Sequence, residues 1–191
     1  MLFRSDRYRS GNPYAASKAG AEELALAYAN TYALPVHITH TMNVFGARQH
    51  PEKYIPLCIR KILSGQTIQI HGNAEKTHAG SRFYIHAQDV CTALGILLAT
   101  PDLPPGNKYN IVGSEEINNL DLAERIAKIL GKPLSFELVD FHSARPGHDL
   151  RYALSGKKMA KMGFKPKPIG GRLTETVLWY LNRPSWLQPA G

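Results

Sequence analysis

The 191-residue chain has no glycine-rich phosphate loop: neither G-x-G-x-x-G nor G-x-x-G-x-x-G follows a strand-like run anywhere in it. Nothing here can cradle a pyrophosphate at a helix N-terminus in the dinucleotide-binding manner. Cysteine is scarce. Cys58 and Cys91 sit in apolar, helix-like settings without metal-ligand spacing, so two reduced thiols of a cytoplasmic protein are expected, with no disulfide and no metal. No apolar run approaches the roughly 18 residues of a membrane span, and residues 1–10 are too charged for a signal peptide. Zinc-finger spacing, a helix-turn-helix signature and aromatic–basic interleaving are also missing. The net charge of +8, from 23 basic and 15 acidic residues, therefore reads as a diffuse basic surface and an anionic small ligand, with no nucleic-acid partner.

What is present is ordinary globular material, 43% hydrophobic and 20% charged. Residues 1–11 read as a non-native or disordered leader. Asn12 as N-cap and Pro13 at the first helical position predict a helix over 12–32, ended at Leu34-Pro35. Strands are expected at 36–41, 67–71, 83–86, 109–112 and 134–139. Helices are expected at 55–63, 89–99 (capped by Asp89), 119–130 (capped by Asn119, ended by Gly131), 156–162 and 173–181. Residues 43–53 and 72–81 read as loops. Strands alternating with helices mean an α/β fold.

Tyr14 and Lys18 lie four residues apart, so on a helix they share a face. A free phenol ionises near pH 10, about three units or about 4 kcal/mol too high for a base at neutral pH. A neighbouring ammonium and the positive nicotinamide ring of an oxidised cofactor both act in the direction needed. Tyr-x-x-x-Lys alone is common by chance, but here it opens a helix among small residues, as a site needing close approach would. This string resembles the extended short-chain dehydrogenase/reductases, the NAD-dependent epimerase/dehydratase family. The resemblance implies that Tyr14 is the base at a sugar C4 hydroxyl. It also implies that Lys18 binds the ribose hydroxyls and favours the phenolate, which makes both residues catalytic and cofactor-binding. The usual Ser or Thr partner would precede residue 1.

Four further stretches follow in the family's order. Asn43-Val44-Phe45-Gly46 with Pro51-Glu52-Lys53 resembles a strand end and substrate loop of the dTDP-glucose 4,6-dehydratase branch. It implies substrate contacts from Asn43, Glu52 and Lys53; a turn-stabilising role for Asn43 is the alternative. Arg82 has the fork geometry for a diphosphate oxygen. Phe83 departs from the family's acidic residue there, and the loop over 73–80 is longer than usual. In the strand around Tyr109, Asn110 either reaches the nucleotide or satisfies backbone. Arg145-Pro146-Gly147-His148-Asp149-Leu150-Arg151-Tyr152 closely matches the same branch: a rigid turn presenting Arg145 as the leading phosphate clamp, with His148 and Tyr152 secondary.

The resemblance implies the C-terminal part of a Rossmann-type parallel sheet, interleaved over 12–191 with a smaller α/β substrate-binding domain, its glycine-rich NAD-binding half lying upstream. The implied activity is an NAD-dependent sugar-nucleotide 4,6-dehydratase, with NADP not excluded, acting on a nucleotide-diphosphate sugar as a homodimer. A 4-epimerase or a non-catalytic sugar-nucleotide-binding protein is the alternative. The elimination acid and base would also lie upstream, so the 191 residues alone are expected to be inactive.

Overall fold

The structure, a computed structural model, describes residues 10–144 and 149–188. Helix α1 (Pro13–Tyr32) starts where expected: the Asn12 side chain accepts from the Ala15 amide at 2.9 Å, and Pro13 needs no donor. The chain then runs through β1 (Ile38–Thr41), Met42 and β2 (Asn43–Phe45). Residues 43–45, expected as the start of a loop, are a strand, because Val44 and its neighbours pair with a partner that no local pattern announces. Helix α2 (Tyr54–Leu63) buries Ile55, Cys58, Ile59 and Ile62 along one stripe. Next come β3 (Ile68–Gly72), β4 (Ser81–His86) and α3 (Ala87–Ala99).

The order continues with β5 (Lys108–Ile111), β6 (Glu116–Asn118), α4 (Asn119–Leu130), β7 (Phe136–Asp140) and α5 (Phe141–Ala144). It ends with β8 (Arg151–Tyr152), α6 (Lys157–Lys161), α7 (Ile169–Leu181) and a single 3₁₀ turn at Pro184–Leu187. Two caps differ from expectation. Asn118, one residue earlier than Asn119, accepts from the Asp121 amide and caps α4. His86, not Asp89, caps α3; Asp89 is buried in the first turn and paired with Arg172. α7 begins four residues before the expected Leu173, because Ile169 is already buried.

The strands form three groups. β1 and β5 pair in parallel, Ile38 opposite Lys108 and Thr41 opposite Ile111. β2 runs parallel to β4, which also carries antiparallel β6 and parallel β8. β3 and β7 make a third parallel pair. One apolar core gathers α2, α4 and α7 against β3, with Leu122, Ile126, Leu173 and Val177 fully enclosed. A second joins Met42 and Ile85 to Ala93 of α3, Tyr109 and Ile111 of β5, and Met159 of α6. Both thiols are free, Cys58 buried and Cys91 exposed, and burial raises the Cys58 thiol to about 12. No helix among the described residues is long and apolar enough to cross a membrane.

Candidate active site

Tyr14 and Lys18 stand one turn apart at the capped start of α1, both exposed, Tyr14 by 69%. Tyr14 lies near enough to Tyr152 of β8 to act on its charge. The Tyr152 phenol is raised above its usual range by its own burial first, then by the negative charge of Asp149; Arg82 opposes and Tyr14 adds to the rise. Tyr14, Tyr152, Asp149 and Arg82 are therefore electrostatic neighbours although their sequence positions span 139 residues.

Arg82, half-buried on β4, is bonded to the chain's own carbonyls. Its Nη1 donates to the carbonyls of Ser81 and Leu150, each at 2.6 Å, and Nη2 to that of Asp149 at 2.7 Å. The guanidinium thereby latches the chain that follows residues 145–148. Arg145 and His148 themselves lie outside the described residues. The latch has a second half that sequence reading missed. Glu116 of β6 accepts two bonds at 2.7 Å from Arg151 and one at 2.6 Å from Ser81 Oγ. Arg151 holds the Glu116 carboxyl below its usual range. The signal was available in principle, since Arg151 lies beside Tyr152 in the motif, but its partner is 35 residues away.

Asn43 opens β2 exposed, opposite Tyr84. Gly46 follows with φ +152°, where a Cβ would meet His86 Nε2 at 3.2 Å, so the turn needs glycine. Glu52 and Lys53 are exposed at the end of this loop, Lys53 leading into α2. The loop is anchored from below: Tyr180 of α7, fully buried, donates to the Gln49 carbonyl at 2.8 Å, and Arg48 lies 5.7 Å over the Trp179 ring. Asn110 is 4% exposed and turned inward. Its Oδ1 lies 3.2 Å from His40 Nδ1, and its Nδ2 donates to the Ser155 carbonyl at 3.1 Å. Of the two readings open in the sequence, this is the one in which the amide satisfies internal partners.

Beyond the carboxyl end of β5 a groove of about 460 Å³ opens over Phe83, Val112, Leu154 and Phe164. Ser114, Ser155, Lys157 and Lys165 also line it. Carboxyl ends of parallel strands are where α/β folds hold ligands.

A helix-borne Tyr-x-x-x-Lys pair thus stands beside parallel-paired strands of an α/β fold. The chain belongs to the NAD dependent epimerase/dehydratase family, whose model matches residues 3–112. It is similar to the dTDP-glucose 4,6-dehydratase of Streptomyces niveus, 37% identical over 93% of this chain and 51% of that protein. It is also similar to the low-salt glycan biosynthesis protein Agl12 of Haloferax volcanii, 39% identical over 82% of this chain and 48% of that one. Among solved structures, DesIV, a dTDP-glucose 4,6-dehydratase from Streptomyces venezuelae with NAD bound, superposes with a TM-score of 0.85 at 36% identity. That match covers 98% of this chain and 56% of DesIV. A UDP-glucuronic acid 4-epimerase from Bacillus cereus shares the fold at 21% identity, with a TM-score of 0.81. The chain thus spans about half the length of the curated relatives it matches.

Proposed function

We propose that this chain is the C-terminal portion of an NAD-dependent nucleotide-sugar 4,6-dehydratase. It contributes the proton-abstracting tyrosine, the phosphate-binding arm and most of the substrate lobe. The observation that carries this reading is the Tyr14–Lys18 pair, both exposed, one turn apart at the capped start of α1. The fit of a dinucleotide is supported by the pair's availability. Neither the phenol nor the ammonium has a hydrogen-bond or ion-pair partner among the described residues.

NAD, when bound, supplies the hydride acceptor. Tyr14 takes the proton of the sugar C4 hydroxyl as that carbon is oxidised, and Lys18 binds the ribose hydroxyls and stabilises the phenolate. Arg145 and His148 meet the diphosphate; Asn43, Glu52 and Lys53 meet the sugar nucleotide from the loop held by Tyr180. Asn110 shapes this region from behind. Once C4 is a ketone, the C5 proton is acidic because the carbanion delocalises into it, and water leaves across C5–C6; the hydride held by bound NAD would then return to C6 and a proton to C5, giving the 4-keto-6-deoxy sugar. The acid and base for that elimination belong to the half of the relatives that this chain does not span. The same half would extend the β1–β5 pair, since parallel strands are stable in sheets covered on both faces. Leu98 of α3, 88% exposed, supports such a cover. Leu24, Tyr28 and Tyr32, exposed along α1, support a homodimer through that helix. The two reduced thiols are in keeping with the cytoplasm.

A 4-epimerase shares Tyr14 and Lys18 and differs in the groups outside this chain, so the product decides. The test supplies dTDP-glucose and UDP-glucose to the intact protein with NAD and follows 4-keto-6-deoxy product. Tyr14→Phe should lower turnover by about 10²–10⁴-fold, and the 191-residue chain alone should give none. Epimerised sugar in place of the keto product selects the epimerase. Binding with no product in the presence of NAD selects a non-catalytic sugar-nucleotide-binding protein and sinks the enzymatic reading.

A further inference from the structure

Glu22 continues the i, i+4 ladder that begins with Tyr14 and Lys18, and it is the member of that ladder that reaches the strands. Its side chain is 8% exposed. Oε2 lies 2.6 Å from His40 Nε2 on β1, and Oε1 lies 2.6 Å from Lys108 Nζ on β5. Behind it, Asn110 holds the other His40 nitrogen and is itself tied to the Ser155 carbonyl. β1 and β5 are paired so that His40 is opposite Asn110 and Ile38 opposite Lys108. One carboxylate therefore spans the helix and both strands.

Ala29, near its far end, is the buried residue among its twenty. A helix held by apolar packing alone would be set by a broad stripe; this one is set by a charged point one turn below Lys18 and two below Tyr14. Charge-assisted bonds of this kind are short and directional, which suits them to fixing a rotation.

We propose that Glu22 is a positioning residue for the Tyr14–Lys18 pair, setting the rotation and height of α1 on the β1–β5 strands. The proposal rests on the reading of Tyr14 as the base. The charged and titratable groups facing Glu22 are His40 from β1 and Lys108 from β5, with Lys18 on its own helix; Tyr14, Asp149 and Arg82 are the groups whose charge acts on Tyr152. The Lys108 ammonium beside Glu22 offsets an anion that would otherwise oppose formation of the phenolate.

The test uses two variants of the intact protein, Glu22→Gln and Lys108→Met, with turnover of nucleotide sugar measured across pH. Both loosen the seat of the helix, so both should lower kcat by about ten- to a hundredfold. KM for the nucleotide sugar should stay within about twofold, since neither group touches it. Glu22 lies eight helical steps from Tyr14, about 12 Å along the axis. At that distance one charge moves an ionisation by between about 0.3 and 1 pH unit for effective dielectric constants of 80 to 20. Removing the anion in Glu22→Gln should shift the acid limb of the kcat profile down; removing the cation in Lys108→Met should shift it up. A role confined to stability would move both limbs alike or neither. If wild type turns over and the limbs do not part, or kcat holds while KM rises, the proposal is overturned and the functional reading survives. If wild type makes no product, that reading is overturned and the proposal falls with it. If Glu22→Gln does not fold, the direction of the Lys108→Met limb decides alone.

Discussion

Replacing Arg172 by methionine should be among the most damaging single changes outside the site. Arg172 sits in the first turns of α7 and reaches the N-terminus of α3, where its Nη2 lies 3.5 Å from Asp89 Oδ1. Its Nη1 donates to Gln88 and to Glu175. Asp89 is 4% exposed, so its charge has no water to turn to. At an effective dielectric of 20, two charges 3.5 Å apart attract by about 5 kcal/mol before desolvation is counted. Removing one partner from a buried pair costs about 3–5 kcal/mol. The α3 N-terminus returns about 0.5–1 kcal/mol to a stranded carboxylate, leaving a loss of about 2–4 kcal/mol. For a chain of this length that is a Tm lower by about 5–15 °C, read by calorimetry or by the urea midpoint. Asp89→Leu combined with Arg172→Met should be less destabilised than Arg172→Met alone, because it removes the stranded charge. If Arg172→Met costs under about 1 kcal/mol, or the double variant is worse than the single one, the pair is not what ties α3 to α7.

Two further outcomes follow from neighbouring geometry. Tyr180→Phe removes the bond to the Gln49 carbonyl, which should cost about 1 kcal/mol and loosen the loop carrying Glu52 and Lys53; KM for nucleotide sugar should rise with kcat little changed, and an unchanged KM would remove Tyr180 as the loop's anchor. His86 is held below the ordinary histidine range by burial and then by Arg172. Because its folded pKa is depressed, protons favour the unfolded chain, and its contribution is whole above about 6.5 and lost as pH falls through the folded value. His86→Asn keeps a capping side chain and should lose less stability than wild type between pH 7.5 and 5.5, as read by urea midpoints; parallel losses would refute the assignment.

The elements that were legible in the sequence are those with a local cause. Asn12-Pro13 announces α1, the stripe Ile55, Cys58, Ile59, Ile62 announces α2, and Gly131 announces the end of α4. The family motifs were legible because they are short strings in a fixed order. What could not be seen is whatever depends on a distant partner. β2 is a strand because Tyr84 and Ile85 lie beside it, not because three residues alternate. Asp89 looks like a cap until Arg172 arrives from 83 residues away. Arg82 has the geometry of a phosphate fork, and in the structure that same fork grips the carbonyls of 149 and 150. Glu116 and Glu22 carry no motif at all; each is defined by the cations it collects.

The two parts of the candidate site meet for a topological reason. α1 leads into β1, and β1 passes through Met42, 1% exposed, into β2, so a single extended run leaves one parallel pair and joins another. β2 lies beside β4, and β4 carries Arg82, whose guanidinium holds the arm that returns β8 and Tyr152 towards Tyr14. The tyrosine and the arm are thus joined by one continuous path of strands, and Met42 is the point where that path turns. A polar residue there would find no partner in the apolar cluster of Ile85, Ile111 and Leu97. It would be relieved most easily by letting β1 and β2 part, which would separate Tyr14 from Tyr152 while leaving each half of the core intact.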